Sequence, residues 1–144
     1  MKKFSILTVS LLLCTGIACI LPATVHAQKT AQTTNDDEAQ IFINNYVSAM
    51  NGPEVKKVLV ESGSFSDFSV YNNDKIITHE LIFDDGTDLS QLSQSEKDQL
   101  LNSFKFAFMS QLQEETVSFM KAHDIVFLIK FKDKKGHSIS TKTF

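Results

Sequence analysis

Hydrophobic residues recur along the chain with two different periods, and the change of period divides the chain into helices and strands. Between residues 36 and 50 the apolar positions are three to four residues apart, as on one side of an amphipathic helix. They are Phe42, Tyr46, Ala49 and Met50. Asn35 followed by Glu38 fits a capping box at the start of this helix, and the Asn-Gly-Pro stretch at 51–53 ends it.

The period then shortens to two, which is typical of β-strands. Residues 55–61 predict one strand, with Gly63 as a bulge or bend after it. Residues 64–71 and 75–83 predict a hairpin around an Asn-Asn-Asp turn. Along its second strand, one side carries Ile77, His79, Leu81 and Phe83, and the other carries Ile76, Thr78, Glu80 and Ile82.

A capping box from Ser93 to Glu96 marks the start of a long helix over about 94–122. A second hairpin follows, with strands at 125–132 and 137–144 joined by an Asp-Lys-Lys-Gly turn. The element order α-β-β(-β)-α-β-β predicts an α+β fold. We expect a four- or five-stranded antiparallel sheet packed on one face by the long helix and the shorter N-terminal helix. No motif identifies a family.

The first 27 residues have the three parts of a secretory signal peptide. Lys2 and Lys3 form a basic start, an apolar run extends to Pro22, and Val25 and Ala27 fit the −3 and −1 positions of a cut after Ala27. We expect an exported bacterial protein, periplasmic or extracellular, with no transmembrane segment after cleavage. A membrane anchor and a lipoprotein acylated at Cys19 are the weaker alternatives. Residues 28–35 are expected to form a flexible leader, and 36–144 a single domain.

Composition narrows the class of partner. Both cysteines, Cys14 and Cys19, lie in the predicted signal peptide, so the mature chain of 117 residues (144 − 27) has no disulfide and depends on hydrophobic packing. It carries 12 Lys against 17 Asp and Glu, a net charge of −5, and no Arg. An acidic chain without arginine is a poor ligand for a polyanion, and we expect no nucleic-acid partner.

Candidate chemistry is sparse. The three histidines of the mature chain, His79, His123 and His137, are not spaced as metal ligands on one local element. No nucleophile elbow or glycine-rich phosphate loop occurs. We therefore expect no enzyme, cofactor or metal. The alternative is a ligand- or metal-binding domain, or a hydrolase, that uses His79 and carboxylates such as Asp67 and Glu80 in a pocket between the sheet and the long helix.

The stretch Phe-Asp-Asp-Gly-Thr-Asp at 83–88 concentrates three carboxylates around Gly86. It does not fit a calcium-binding EF-hand, because with Gly86 as the sixth residue the first and last ligands would be Leu81 and Leu92. We interpret it as a polar connector from strand to helix. An irregular calcium site made by Asp84, Asp85 and Asp88 is the lesser alternative.

Two features are candidates for binding a partner. A second apolar stripe on the long helix either receives the N-terminal helix or forms an exposed apolar patch; it consists of Phe106, Met109, Val117 and Met120. The second hairpin is basic, and either protects an edge strand or faces an acidic partner or, as the lesser alternative, anionic lipid; its lysines are Lys130, Lys132, Lys134, Lys135 and Lys142. The sequence therefore favours a non-catalytic domain that binds an unknown protein or forms a homodimer.

Overall fold

The computed structural model describes residues 34–143, and the predicted signal peptide with most of the predicted leader lies outside this range. The described part of the chain folds into four α-helices, one 3₁₀-helix (Leu89–Gln91) and four strands. The helices are α1 (Asn35–Met50), α2 (Pro53–Glu61), α3 (Gln94–Gln111) and α4 (Glu114–Ala122). The strands are β1 (Phe65–Asn73), β2 (Ile76–Phe83), β3 (Val126–Lys132) and β4 (Ser138–Thr143).

The strands form one sheet in the order β1-β2-β3-β4. This confirms the α+β class and both predicted hairpins, but the sheet is mixed. β1 and β2 are antiparallel, as are β3 and β4, whereas β2 and β3 are parallel. The expectation of a wholly antiparallel sheet is therefore wrong. The crossover through α3 and α4 returns the chain to the starting end of β2, where the Val126 amide donates to the Lys75 carbonyl at 2.9 Å.

The sequence predicted a strand over residues 55–61. This prediction is wrong, because these residues form most of the helix α2. Pro53 occupies the start of this helix, where its fixed φ suits the first turn and its missing N–H costs nothing. Val55 and Leu59 are buried one turn apart. The valines of this stretch favour a strand by intrinsic propensity. The spacing of Val55 and Leu59 is also that of one side of a helix, and burial of these two side chains against the core favours the helix.

The predicted long helix is interrupted between α3 and α4, where Leu112 and Gln113 have extended backbones with ψ of 136° and 145°. Phe108 and Met120 are twelve residues apart, so in one continuous helix they would point about 120° apart. The break reorients α4, and both side chains become buried in the same core. The single long helix predicted over 94–122 is therefore wrong: two shorter helices bury side chains that one straight helix would present in different directions.

The helix α1 forms as predicted, with its cap one residue earlier. Thr34 and Asp37 form the capping box, rather than Asn35 and Glu38. The Phe42 ring lies 5.1 Å from that of Phe119, so α1 packs against α4. The N-terminal helix thus covers part of the apolar surface that follows the break.

All four helices contribute to a hydrophobic core on one face of the sheet. The inner side of β2 carries Ile77, His79, Leu81 and Phe83, as the sequence predicted, and all four are buried. The edge of β1 is covered by the turn between α1 and α2. The Asn51 side chain donates to the Val70 carbonyl at 2.6 Å and accepts from the Val70 amide at 2.9 Å. The opposite edge of the sheet is β4.

Candidate interaction surface

The second apolar stripe predicted on the long helix does not form one surface. Met120 is completely buried, Met109 and Val117 are half-buried, and Phe106 is 77% exposed. The stripe as a single exposed patch is therefore wrong, because the break after α3 places Met120 in the core and leaves Phe106 in solvent. A single exposed phenylalanine is not an extended apolar patch.

The lysines of the second hairpin are largely paired within the chain. Lys134 lies 2.8 Å from the carboxylate of Asp85, and Lys135 lies 2.5 Å from that of Asp88. Lys130 pairs with Glu80 at 3.2 Å. The positive charge predicted to face a partner is thus mostly balanced by the chain's own carboxylates. In the part of the chain that the structure describes, Lys132 forms no ion pair.

The carboxylates of the 83–88 stretch act in the connection between β2 and α3. Asp84 accepts the Gly86 amide at 2.9 Å, which closes a local turn. Asp88 caps the 3₁₀-helix by accepting the Ser90 amide at 3.0 Å. Asp85 and Asp88 also bind the two hairpin lysines. The stretch is a connector that attaches the second hairpin to the helical layer.

Among residues 34–143, one cluster has the composition of a metal site. The ligand atoms of Asp88, Asp133 and His137 all lie within 4.8 Å of one another. The Asp133 carboxylate is already saturated, however. One oxygen accepts the amides of Lys135 and His137, each at 2.9 Å. The other accepts the Leu89 amide at 2.9 Å and pairs with His137 Nδ1 at 2.8 Å.

The pKa values of the two carboxylates in the cluster agree with these hydrogen bonds. Burial opposes ionisation of Asp133, but the hydrogen bonds from His137 and Leu89 outweigh it and hold its pKa below the usual value. Hydrogen bonds from Lys135 and Ser90 lower the pKa of Asp88 to about 2. Both carboxylates are therefore anions that hold loop amides and a lysine in place. A cation would have to displace these donors to bind.

His79, the residue considered for a binding pocket, lies inside the core. Only 1% of its surface is exposed, and its Nε2 lies 2.9 Å from the hydroxyl oxygen of Tyr46. The rings of Phe108 and Phe127 lie 4.7 and 5.0 Å from its imidazole. Burial lowers the His79 pKa to about 3, so the ring is neutral. His79 is therefore a hydrogen-bonded residue of the core.

Asp67 and Glu80, the candidate acid–base pair, are each bound to a different lysine. Asp67 pairs with Lys56 of α2 at 2.6 Å, and this ion pair lowers its pKa. Glu80 pairs with Lys130 and accepts from the Tyr71 hydroxyl at 3.3 Å. The two carboxylates lie in different rows of the sheet, since Asp67 is in register with Ile82. They form part of an outer sheet surface.

Within residues 34–143, that outer surface is the side of the sheet opposite the hydrophobic core. None of its apolar residues belongs to the hydrophobic core, and Tyr71 is 42% exposed. We call it the open face. It consists of Asp67, Ser69, Tyr71, Asn73, Ile76, Thr78, Glu80, Ile82, Val126, Leu128, Lys130, Lys132, Ser138, Ser140 and Lys142.

Charge divides the open face into two halves. The β1 and β2 half carries Asp67 and Glu80, and the β3 and β4 half carries Lys130, Lys132 and Lys142. The sequence pointed to all three lysines but not to the division of charge across the face. The pairing of β2 with β3 creates it, and strands joined through two helices give no local signal of their register.

Comparisons with known proteins give no functional lead: no family model matches the chain, and neither curated proteins nor solved structures show significant similarity to it. Among the described residues, no helix combines the length and the apolar character needed to cross a membrane.

Proposed function

We propose that this protein is a small exported, non-catalytic domain that functions by self-association through the open face. The observation that carries the proposal is the composition of that face. Aliphatic residues lie among its charges on the side of the sheet away from the helices; they are Ile76, Ile82, Val126 and Leu128. A sheet face of this kind is stabilised when a second layer removes it from water.

The proposal also rests on what the polar residues already do. His79 is buried and neutral, and the Asp133 carboxylate is saturated by four donors. Asp67 and Glu80 each neutralise a lysine. These side chains have structural partners that account for their positions, which favours a binding role over a catalytic one.

Export is the second part of the proposal, and the N-terminal sequence supports it. A basic start, an apolar run and Ala27 at the predicted cleavage position are typical of a leader that is removed during secretion. The expected product begins at Gln28. Its mass, measured on protein recovered from an exporting bacterial host, should match residues 28–144. Retention of residues 1–27 would contradict this part of the proposal.

The test of self-association is sedimentation velocity on the processed protein, from the low micromolar to the millimolar range. We expect the weight-average mass to rise with concentration toward that of a dimer. Leu128→Thr should weaken association because it removes an apolar contact from the open face while keeping a residue suited to a strand. Val58→Thr, at an exposed apolar position of α2, is the matched control and should leave association unchanged. A monomer at every concentration would refute self-association.

A further inference from the structure

We infer that two copies pack open face against open face about a two-fold axis that runs parallel to the strands, between β2 and β3. In this arrangement Glu80 of each copy meets Lys130 of the other. The inference rests on the proposed self-association through the open face and adds the symmetry and the contacting residues.

The strand register places the residues of the open face in rows. Glu80 lies beside Lys130 in the central row, and Thr78 lies beside Leu128 in the next. The antiparallel pairings extend both rows to the edge strands. The rows are Ser69, Glu80, Lys130 and Ser140, followed by Tyr71, Thr78, Leu128 and Lys142.

Symmetry then restricts how two such faces can meet. A face packs on an identical face only if the two-fold axis lies in the plane of the contact. An axis parallel to the strands exchanges left and right, so the acidic half of one copy covers the basic half of the other. An axis perpendicular to the strands places each strand against its own counterpart, and carboxylates then meet carboxylates. The charge division selects the first arrangement.

The central contact forms an alternating square of four charges. Within one chain Glu80 and Lys130 are 3.2 Å apart, with side chains 15% and 31% exposed. They are already partly desolvated, which reduces the further cost of covering them. In the proposed dimer each carboxylate gains a second ammonium group, and each ammonium group gains a second carboxylate.

The adjacent row pairs a small residue with a larger one. Thr78 lies between Tyr71 and Leu128 of its own chain and is only 4% exposed. The axis places Leu128 of the second copy over Thr78. At the ends of the same row, Tyr71 faces Lys142 of the second copy, a geometry suited to a cation–π contact.

The size of the face predicts the strength of the dimer. Four strands spaced about 4.8 Å apart and seven residues long cover about 20 Å by 23 Å. This footprint is at the small end for specific protein interfaces. We therefore expect weak, reversible dimerisation that added salt weakens further, since much of the complementarity is electrostatic.

The alternative arrangement is addition of a second copy to the edge strand β4, which makes a continuous sheet. That arrangement leaves Glu80 and Lys130 in solvent, because two strands separate β2 from the edge. The two modes therefore respond differently to charge reversal at these positions.

The experiment uses the reversals Glu80→Lys and Lys130→Glu, followed by sedimentation velocity and circular dichroism at low salt. Each single variant should lose about tenfold or more in dimer affinity, because four like charges meet at the centre. An equimolar mixture of the two should regain association close to that of the native protein, since every cross-copy contact then joins opposite charges. The chain carrying both changes should also dimerise by itself.

A matched control is available on α2, where Lys57 and Glu61 form an exposed pair away from the open face. Lys57→Glu and Glu61→Lys make the same charge changes and also break an ion pair within the chain. Both should leave dimerisation unchanged. If a single reversal on the open face unfolds the chain, the doubly reversed chain restores the internal pair and is mixed with the native protein. The two should not associate with each other, because like charges then meet at the centre, whereas association through β4 would be unaffected.

The outcomes separate the inference from the proposed function. A dimer whose affinity is unchanged by both open-face reversals would overturn the inference; if Leu128→Thr still weakens that dimer, the proposed self-association through the open face stands. Failure of the mixture to regain association would also overturn the inference. A native protein that is monomeric throughout would overturn both.

Discussion

The hydroxyl oxygen of Tyr46 in α1 lies 2.9 Å from Nε2 of His79 in β2, and both side chains are buried. Nδ1 of His79 has no hydrogen-bond partner among the described residues. If the tyrosine donates, only the Nδ1 hydrogen is left unpaired, whereas the opposite tautomer leaves both Nδ1 and the tyrosine hydrogen unpaired. We therefore assign Tyr46 as the donor. This bond connects α1 to the centre of the sheet.

Stability should fall with pH below the ordinary histidine pKa. The His79 pKa is about 3 in the folded protein, against 6.5 for an ordinary histidine. The unfolded chain therefore binds a proton more readily. The stability that the protein gains from keeping His79 neutral is fully present above pH 6.5. It decreases by roughly 1 kcal/mol per pH unit as the pH falls toward 3. Urea denaturation across this range measures it.

The control for this pH dependence is the double variant Tyr46→Phe with His79→Phe, which keeps the ring packing and has no titrating imidazole. Its free energy of unfolding should change much less between pH 6.5 and about 4.5. Equal slopes for the native and double-variant proteins would show that His79 is not the source.

Tyr46 and His79 should also be energetically coupled. Tyr46→Phe removes the donor and leaves the His79 ring without a partner, at a cost of about 1–3 kcal/mol. Replacing both residues removes the unpaired polar atoms together, so the double variant should be more stable than the sum of the single effects by about 1 kcal/mol. Additive losses in a double-mutant cycle would argue against the hydrogen bond.

Truncation of two residues of the predicted apolar stripe should have very different effects on stability. Met120→Ala opens a cavity in the core and should lower the free energy of unfolding by about 3 kcal/mol. Phe106→Ala removes a side chain that is mostly in solvent and should change it by less than about 0.5 kcal/mol. Chemical denaturation of both variants provides the measurement. A large loss from Phe106→Ala with a small loss from Met120→Ala would contradict the break between α3 and α4.

Asp133 should be the most sensitive of the carboxylates that contact the lysines and amides of the second hairpin. Asp133→Asn replaces an acceptor oxygen by an amide that cannot accept, so at least one loop amide loses its partner, and we expect a loss of about 3 kcal/mol. The contribution of the ionised carboxylate is present above its usual pKa of 3.8 and is lost as the pH falls through its lower folded value.

The matched control is Asp85→Asn, which breaks an exposed pair with Lys134 and should cost less than about 0.5 kcal/mol. Equal effects of the two substitutions would show that Asp133 has no special role in the hairpin.

Added metal should not stabilise the protein. The oxygens of Asp133 are occupied by four donors, and Lys135 already binds Asp88. Thermal unfolding with millimolar Zn²⁺ or Ca²⁺ should therefore shift the melting temperature by no more than about 1 °C, since only a ligand that binds the native state raises it. A larger increase that a chelator reverses would show that Asp88, Asp133 and His137 rearrange to form a site.

The sequence by itself determined the features that depend on neighbouring residues. Alternation along β2 and β3 fixed which side chains face the core, because successive residues of a strand point to opposite sides. The capping box from Ser93 to Glu96 located the start of α3. The burial of His79 also followed from its position among apolar residues of one strand face.

Tertiary structure decided the rest. The parallel pairing of β2 with β3 brings Glu80 beside Lys130, fifty positions along the chain, and no local pattern encodes that register. The break at Leu112 depends on turning both Phe108 and Met120 toward one core. The hydrogen bonds that hold Asp133 include one from the amide of Leu89, which lies in a distant segment of the chain. Backbone geometry acts over a few residues, whereas pairing between distant segments is set by which arrangement buries the most apolar surface and satisfies the most polar groups.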